Sequence, residues 1–356
     1  MDQSLPPFYY QARIMFRFSN SLVNATRGTG RMSVMRNARS AVQARQYSVP
    51  TKSAQSSNTA LYLSLGGAAG LGLWYAMGGM NGDLRSKLSE VRADDGEFAL
   101  NKDEFRSFKL KEIQPYNHDS SVYVFELPDN KKSGLTVCSC LVVRGAGDEP
   151  KDDNGKPVIR PYTPINPPDS RGELELLIKH YPQGKMTQYL KDLKVGDELK
   201  LKGPNPKFPY KANEFNEIGL IAGGAGVTPI WQLVQEISSN PEDKTKVTIL
   251  YANKSKEDIL LAEKWSQIEK DSRFKIVHFL DNAPSGWSGE TGYISKEAVQ
   301  KYLPSTDLGE KVKVFVCGPP GQMKAISGPK KSMTDQGPLV GALADAGYSA
   351  EQVYKF

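Results

Sequence analysis

The sequence predicts an antiparallel β-barrel followed by an α/β domain on a parallel sheet, with a single transmembrane helix ahead of both. Three observations carry this. Residues 60–80 form one apolar run, and about 20 residues suffice to cross a bilayer. From residue 103, short β-rich stretches are broken by Gly, Pro, Asn and Asp. From residue 214, strand-like runs alternate with helical ones, the pattern of a parallel sheet with crossover helices.

The N-terminal segments come first. The formal charge is +6, but residues 1–52 hold seven Arg and one Lys against one Asp, so the rest of the chain is close to neutral. A leader rich in Arg, Ser and Asn and almost free of acid has the composition of a mitochondrial presequence. Both Met1 and Met15 offer a start within it. A nucleic-acid protein would carry its basic excess on the folded body, so that class is set aside. Residues 60–80 lie in a stretch without charge and include Gly66 and Gly70 at the spacing that lets membrane helices approach. In a soluble helix each Gly would cost about 1 kcal/mol relative to Ala, which favours an anchor. Residues 81–102 read as a polar spacer. The three cysteines (Cys138, Cys140, Cys317) and three histidines (His118, His180, His278) show neither a disulfide framework nor zinc spacing, so no metal is expected.

In the first half of the body, strands are predicted over residues 105–110, 121–127, 135–144, 174–179 and 197–203. Cys138 and Cys140 fall two apart on one predicted strand face and read as small buried hydrophobes. Two stretches carry chemistry. In Arg160-Pro161-Tyr162-Thr163-Pro164 the prolines hold the chain extended, so Arg160 and Tyr162 point the same way. An Arg fork suits a phosphate, although a plain Pro-rich loop fits the composition as well. In Gly184-Lys185-Met186-Thr187 a glycine opens a short helix, whose free N–H groups suit an anion. An ordinary cap accounts for it equally.

In the second half, a predicted buried strand over 217–222 runs into Gly223-Gly224-Ala225-Gly226-Val227-Thr228-Pro229 and then a helix over 230–237. Strand, Gly-rich turn and helix together cradle a pyrophosphate, although Pro229 stands where the fingerprint expects a third Gly. Further strands are predicted at 246–251, 274–280 and 312–316. Ligands bind at the carboxyl ends of such strands, which puts Cys317 on the ligand edge. Asp281, just past one strand end, suits a ribose hydroxyl and would repel a 2′-phosphate; a plain turn Asp fits that position too.

Taken in order, Arg160-x-Tyr162-Thr163-Pro164, Gly184-Lys185-Met186-Thr187, Gly223 to Pro229, Tyr251-Ala252-Asn253 with Asp258-Ile259-Leu260-Leu261, and Cys317-Gly318-Pro319-Pro320 resemble the ferredoxin–NADP reductase superfamily. Within it they are similar to the cytochrome b5 reductase branch, over residues 103–356. With the leader and span, the likeness extends to the fungal mitochondrial form. The resemblance implies an FAD-binding barrel over 103–207 and a Rossmann-like NAD-binding domain over 214–356, with the flavin at their junction. It implies that Arg160 and Pro161 meet FAD at its phosphate, that Tyr162 lies along the flavin and ribityl, and that Thr163 bonds near flavin N5. Gly184, Lys185, Met186 and Thr187 would hold the pyrophosphate, with Lys179 and Tyr181 beside it. Gly224, Gly226, Thr228 and Pro229 would face the nicotinamide nucleotide, Thr228 also lying near the flavin. Cys317, followed by Gly318 and Pro319, would sit beside the nicotinamide, and Asp281 would favour NADH. Thr163 and Cys317 are the expected catalytic residues.

The implied reaction moves a hydride from NADH to FAD and then single electrons to the haem of cytochrome b5 or a similar haem protein. Another carrier or a quinone is the alternative acceptor, and a non-catalytic tethered nucleotide-binding scaffold is the distant one. The resemblance further implies a monomer with a single pass in the mitochondrial outer membrane; the alternative is the intermembrane space, soluble or anchored to the inner membrane. One departure stands out. The family usually reads Cys-Gly-Pro-Pro-x-Met, whereas here both Gly321 and Gln322 precede Met323, and a polar loop is inserted around residues 328–337.

Overall fold

The computed structural model describes residues 96–356. The expected leader, the apolar run at 60–80 and most of the spacer lie outside the described residues. Among the described residues, no helix is long and apolar enough to cross a membrane.

The first half forms one antiparallel sheet. Its strands are β1 (Arg106–Asn117), β2 (Ser120–Glu126), β3 (Ser139–Gly145), β4 (Arg160–Tyr162), β5 (Glu173–Lys179) and β6 (Glu198–Pro206), in the order β4-β3-β6-β1-β2-β5. Helix α1 (Lys185–Asp192) follows β5. Alternation puts Phe108 and Leu110, Tyr123 and Phe125, Leu141 and Val143, Leu174 and Leu176, and Leu199 and Leu201 in one apolar cluster with Leu190 of α1. Side chains from β3, next to one edge of the order, and Tyr162 of β4 meet those from β5 at the other edge, so the sheet is rolled around its own core. The edge strands β4 and β5 are not joined by a ladder.

Two expectations need correction. The first strand does not stop at 110: β1 continues to Asn117 because β2 pairs along it as far as Asn117–Ser120. Its second half is mostly exposed and polar, which erased the apolar alternation. Nor do Cys138 and Cys140 share a strand face. Cys138 has φ +54° in the turn before β3, and only Cys140 is in the strand. Both are buried.

The second half is an all-parallel sheet except for its connections. It contains β7 (Glu217–Gly223), α2 (Val227–Ser239), β8 (Lys246–Asn253), α3 (Ala262–Ile268), β9 (Phe274–Leu280), β10 (Glu290–Thr291), α4 (Lys296–Tyr302), β11 (Val312–Cys317), α5 (Pro320–Ile326), α6 (Ala342–Asp345) and β12 (Val353–Lys355). The strand order is β10-β9-β8-β7-β11-β12. Strand β7 is buried almost throughout, as a central parallel strand covered on both faces must be. Pro229 fits in the first turn of α2, where a missing N–H removes no helix bond.

The two halves meet along an apolar seam. Val122, Val124 and Leu177 from the outer face of the first sheet pack in one cluster with Ile230, Trp231 and Val234 of α2. Burying each such side chain is worth about 1.5–3 kcal/mol. Hydrogen bonds fix the register: Trp231 Nε1 donates to Ile165 O at 3.1 Å, and Gln232 Oε1 accepts from Ser139 N at 2.9 Å.

Candidate active site

A cavity of about 1030 Å³ opens along this seam. Strand β4 supplies one wall. It pairs with β3 so that Arg160 and Tyr162 stand opposite Val143 and Leu141. Arg160 is exposed, its Nη1 donates only to the neighbouring Ile159 O at 2.9 Å, and no carboxylate pairs with it among the described residues. Tyr162 is half-buried, and burial pushes its phenol well above the usual range. Thr163 is buried at the cavity wall.

The turn between β5 and α1 closes one end. Gly184 caps α1 without a side-chain bond. Thr187 Oγ1 donates to Gly184 O at 3.0 Å and accepts from Tyr181 N at 3.1 Å, which folds the turn tightly. A Cβ on Gly184 would fall 2.4 Å from that hydroxyl, so a larger residue would have to displace the Thr187 side chain that folds the turn. The helix N-terminus faces the cavity with N–H groups free to meet an anion. Lys185 lines this end and pairs with Asp153.

The opposite end belongs to the α/β half. Gly224, at φ +49°, and the turn through Gly226 lead into α2, bringing Ala225, Thr228 and Pro229 to the cavity. Cys317 ends β11 beside them. Burial pushes its thiol up to about 12, so it stays protonated at neutral pH and suits an orienting contact, not nucleophilic attack. Gly226 lies directly against the Cys317–Gly318 peptide.

Most sequence-predicted site residues therefore converge. Arg160, Pro161, Tyr162, Thr163, Lys179, Tyr181, Gly184, Lys185, Met186, Thr187, Thr228, Pro229, Cys317 and Gly318 all line this cavity. Gly224, Gly226, Pro319 and Asp281 do not. The two glycines shape the turn from behind, Pro319 packs near Gly223, and Asp281 lies at the end of β9, its N–H donating to Asn253 O. Sequence reasoning missed the wall made by the inserted loop and the chain end. Lys330, Ser332, Met333 and Phe356 line the cavity. The loop is held by Lys355, which is 2% exposed and donates from Nζ to Gln336 O at 2.8 Å and Pro338 O at 2.9 Å. The loop's polar composition gave no hint of this, because the anchor lies at the far end of the sequence.

Lys179 has a second task. Its ammonium lies 2.8 Å from both Asp119 and Asp258, tying the first sheet to the loop after β8. The side chains of Lys179 and Asp258 are only 11% and 8% exposed. Burial opposes charge on both. The ion pair and the Ser255 hydrogen bonds still hold Asp258 below its ordinary 3.8, and the two carboxylates raise Lys179 above 10.5. The Asp258 contribution to stability is thus present above about pH 4 and lost as pH falls through its folded value; the Lys179 contribution is lost only as pH rises through its own. Lys179→Met strands two carboxylates and is expected to lower unfolding stability by about 3–5 kcal/mol. Denaturant unfolding at pH 7 measures this, and adding Asp258→Asn should restore part of the loss. An unchanged midpoint would show the triad to be energetically idle.

Comparison with known proteins agrees with this geometry. Residues 107–210 match the oxidoreductase FAD-binding domain and residues 220–328 the oxidoreductase NAD-binding domain. A Mycosarcoma maydis protein named NADH-cytochrome b5 reductase 2 is 49% identical over 353 residues, covering 95% of this chain and all of the relative. The chain belongs to the NADH-cytochrome b5 reductase family. A second family member, from Botryotinia fuckeliana, is 42% identical over 88% of this chain and 96% of its own. Among solved structures, the cytochrome b5 reductase domain of Ulva prolifera nitrate reductase superposes with a TM-score of 0.62 at 28% identity, covering 73% of this chain and 99% of that one. Family membership makes FAD the cofactor and NADH the donor, and the cavity fits FAD on three counts. Its volume suits a dinucleotide, one end offers an unpaired guanidinium with a helix N-terminus, and the walls between are largely apolar.

Proposed function

We propose that the chain oxidises NADH and reduces cytochrome b5, with FAD held along the seam cavity. When bound, FAD accepts a hydride and gives up electrons singly, which couples a two-electron donor to a one-electron haem. The protein's part is placement. Arg160 and the N-terminus of α1 would hold the pyrophosphate, Tyr162 would lie along the flavin, and Thr163 would offer its hydroxyl at the flavin's edge. The turn at 223–226 and Cys317 would place the nicotinamide against the flavin, and orienting the two reactants is the protein's contribution to the rate. No acid–base pair is required. The carrying observation is that one cavity joins the Arg160 end to the Cys317 end.

The solubilised full chain should purify yellow, bleach with NADH and regain its colour when ferric cytochrome b5 is added. A protein that stays colourless after incubation with FAD overturns the reading. Within it, Cys317→Ala is expected to keep FAD but slow bleaching by roughly tenfold, because orientation is loosened. Stopped-flow absorbance reads this, and an unaltered rate would remove Cys317 from the mechanism. Asp281 sets the preference for NADH by repelling a 2′-phosphate, a preference read from kcat/KM for the two donors.

The same reading makes residues 1–52 a mitochondrial presequence and residues 60–80 the single anchor of a monomer in the outer membrane. Its support is the acid-poor basic leader and the uncharged apolar run. Resistance of the mitochondrial protein to carbonate extraction checks it; release into the supernatant overturns it.

A further inference from the structure

The inserted loop around residues 328–337 is clasped to the cavity by the short strand β12. Beyond the two bonds from its buried ammonium, Lys355 donates its N–H to Gln336 Oε1 at 2.7 Å. Its carbonyl accepts from Gln336 Nε2 at 3.1 Å and from Lys330 Nζ at 2.9 Å. The loop cannot shift without giving up this set of bonds. The preceding residue reaches the other way: the Tyr354 hydroxyl donates to Lys207 O at 2.6 Å, on the barrel side of the seam. One strand thus holds both Lys330 and the chain at Lys207.

The result is a pair of cations at the cavity wall. Lys207 and Lys330 both line it, both are half-buried, and neither meets a carboxylate among the described residues. Lys330 spends its ammonium on a carbonyl and on the face of Tyr354, 5.8 Å from the ring centre. Burial first, and Lys207 second, hold its pKa below the ordinary 10.5. Cys140 of the barrel and Cys317 of the α/β half also lie within electrostatic reach of it, so the charge stands where the two halves face each other. The acidic residues of the cavity are placed elsewhere: Asp153 pairs with Lys185 at the α1 end, and Asp152 accepts from the N–H groups of Asn154 and Lys156. Two like charges held together in a half-buried place repel, and a cleft with one sign of charge on its wall focuses that field inward. The arrangement favours a negative charge inside the cavity.

We propose that Lys207 and Lys330 form a cationic pair that stabilises FAD in its reduced state, the second cation being delivered by the loop that Lys355 clasps. This rests on FAD occupying the seam cavity and deepens that reading. Hydride transfer from NADH adds two electrons and one proton to FAD, one unit of negative charge in all, and releases NAD+. Two single-electron transfers to haem and loss of the proton undo the change. A positive field already fixed in the wall favours the added charge without having to reorganise. The pair therefore raises the flavin's midpoint potential and draws the hydride forward. Lys355 is the positioning residue, and the polar inserted loop gains a task outside the motifs that carry the family resemblance.

The test is dye-equilibrated reduction of the FAD-loaded full chain with dithionite, which reads the midpoint potential without NADH. Lys330→Met is expected to weaken the holding of reduced relative to oxidised FAD about tenfold, a fall of about 30 mV for a two-electron couple. Lys330→Arg should recover most of the fall, because it keeps the charge on the same loop. Lys207→Met carries the same expectation from the barrel side and leaves the clasp intact, so it decides the matter even where Lys330→Met loosens the loop. Lys331 is exposed on the same loop and does not line the cavity, so Lys331→Met should keep the parent potential. Parent potentials in both Lys330→Met and Lys207→Met, or an equal fall in Lys331→Met, would overturn the inference. So would a fall in Lys330→Met that Lys330→Arg does not reverse while Lys207→Met stays at the parent value, since that marks an opened loop and not a lost charge. A parent chain that takes up no FAD would instead overturn the proposed function itself.

Discussion

Arg160→Ala is expected to yield a folded protein that purifies without FAD and shows no NADH-dependent activity until FAD is supplied in excess. The guanidinium faces the cavity, spends one N–H on a neighbouring carbonyl and has no carboxylate partner among the described residues. It is thus free to give a planar, charge-assisted fork to a phosphate. A hydrogen bond to a charged group is worth about 1.5–3 kcal/mol, which translates into an affinity loss of roughly ten- to hundredfold. The fold should tolerate the change, because β4 is an edge strand and Arg160 is exposed. Fluorescence titration of the apoprotein with FAD measures the loss. Arg160→Lys should recover only part of it, since an ammonium keeps the charge but not the fork. Equal FAD affinity in Arg160→Ala and the parent would place the phosphate elsewhere.

Much of this site is legible before any coordinates, and the reason is local. Residues 160–164 are held extended by their own prolines, and residues 184–187 announce a helix start by their own glycine. The turn at 223–226 sits between a strand and a helix whose patterns are strong. Such signals need no distant partner. What escaped reading depends on distant partners. Lys179 reads as a strand residue beside a cofactor, yet its ammonium is shared by Asp119 and Asp258, the second of them 79 residues away. The loop around 328–337 reads as solvent-facing polar sequence, yet Lys355 and the carbonyls of Gln336 and Pro338 turn it into a cavity wall. Cys138 reads as a strand residue because its neighbours are apolar, but it turns with positive φ.

Gly226→Ala should have the opposite profile to Arg160→Ala: FAD retained, reduction by NADH slowed about a hundredfold. The added Cβ would lie 2.5 Å from Cys317 O, 2.6 Å from Cys317 C and 2.7 Å from Gly318 N. All three are backbone atoms, so no rotamer change relieves the clash. The turn after β7 and the segment after β11 must separate by the better part of an ångström, and displacements of that size at a reacting centre can cost about 10²-fold in rate. The backbone angle itself is not at issue, because Gly226 has φ −63°, which alanine adopts freely. The Arg160 end of the cavity is untouched, so the flavin should stay bound and its visible spectrum should change little. Stopped-flow bleaching by NADH measures the loss. Gly224→Ala makes the matched comparison: its Cβ would meet open space, but its φ of +49° strains any side chain. If contact between the two segments governs the chemistry, Gly226→Ala loses far more rate than Gly224→Ala, whereas Gly224→Ala loses stability by about 1–2 kcal/mol. A Gly226→Ala protein that bleaches at the parent rate would show that the two segments need not touch for NADH and flavin to meet.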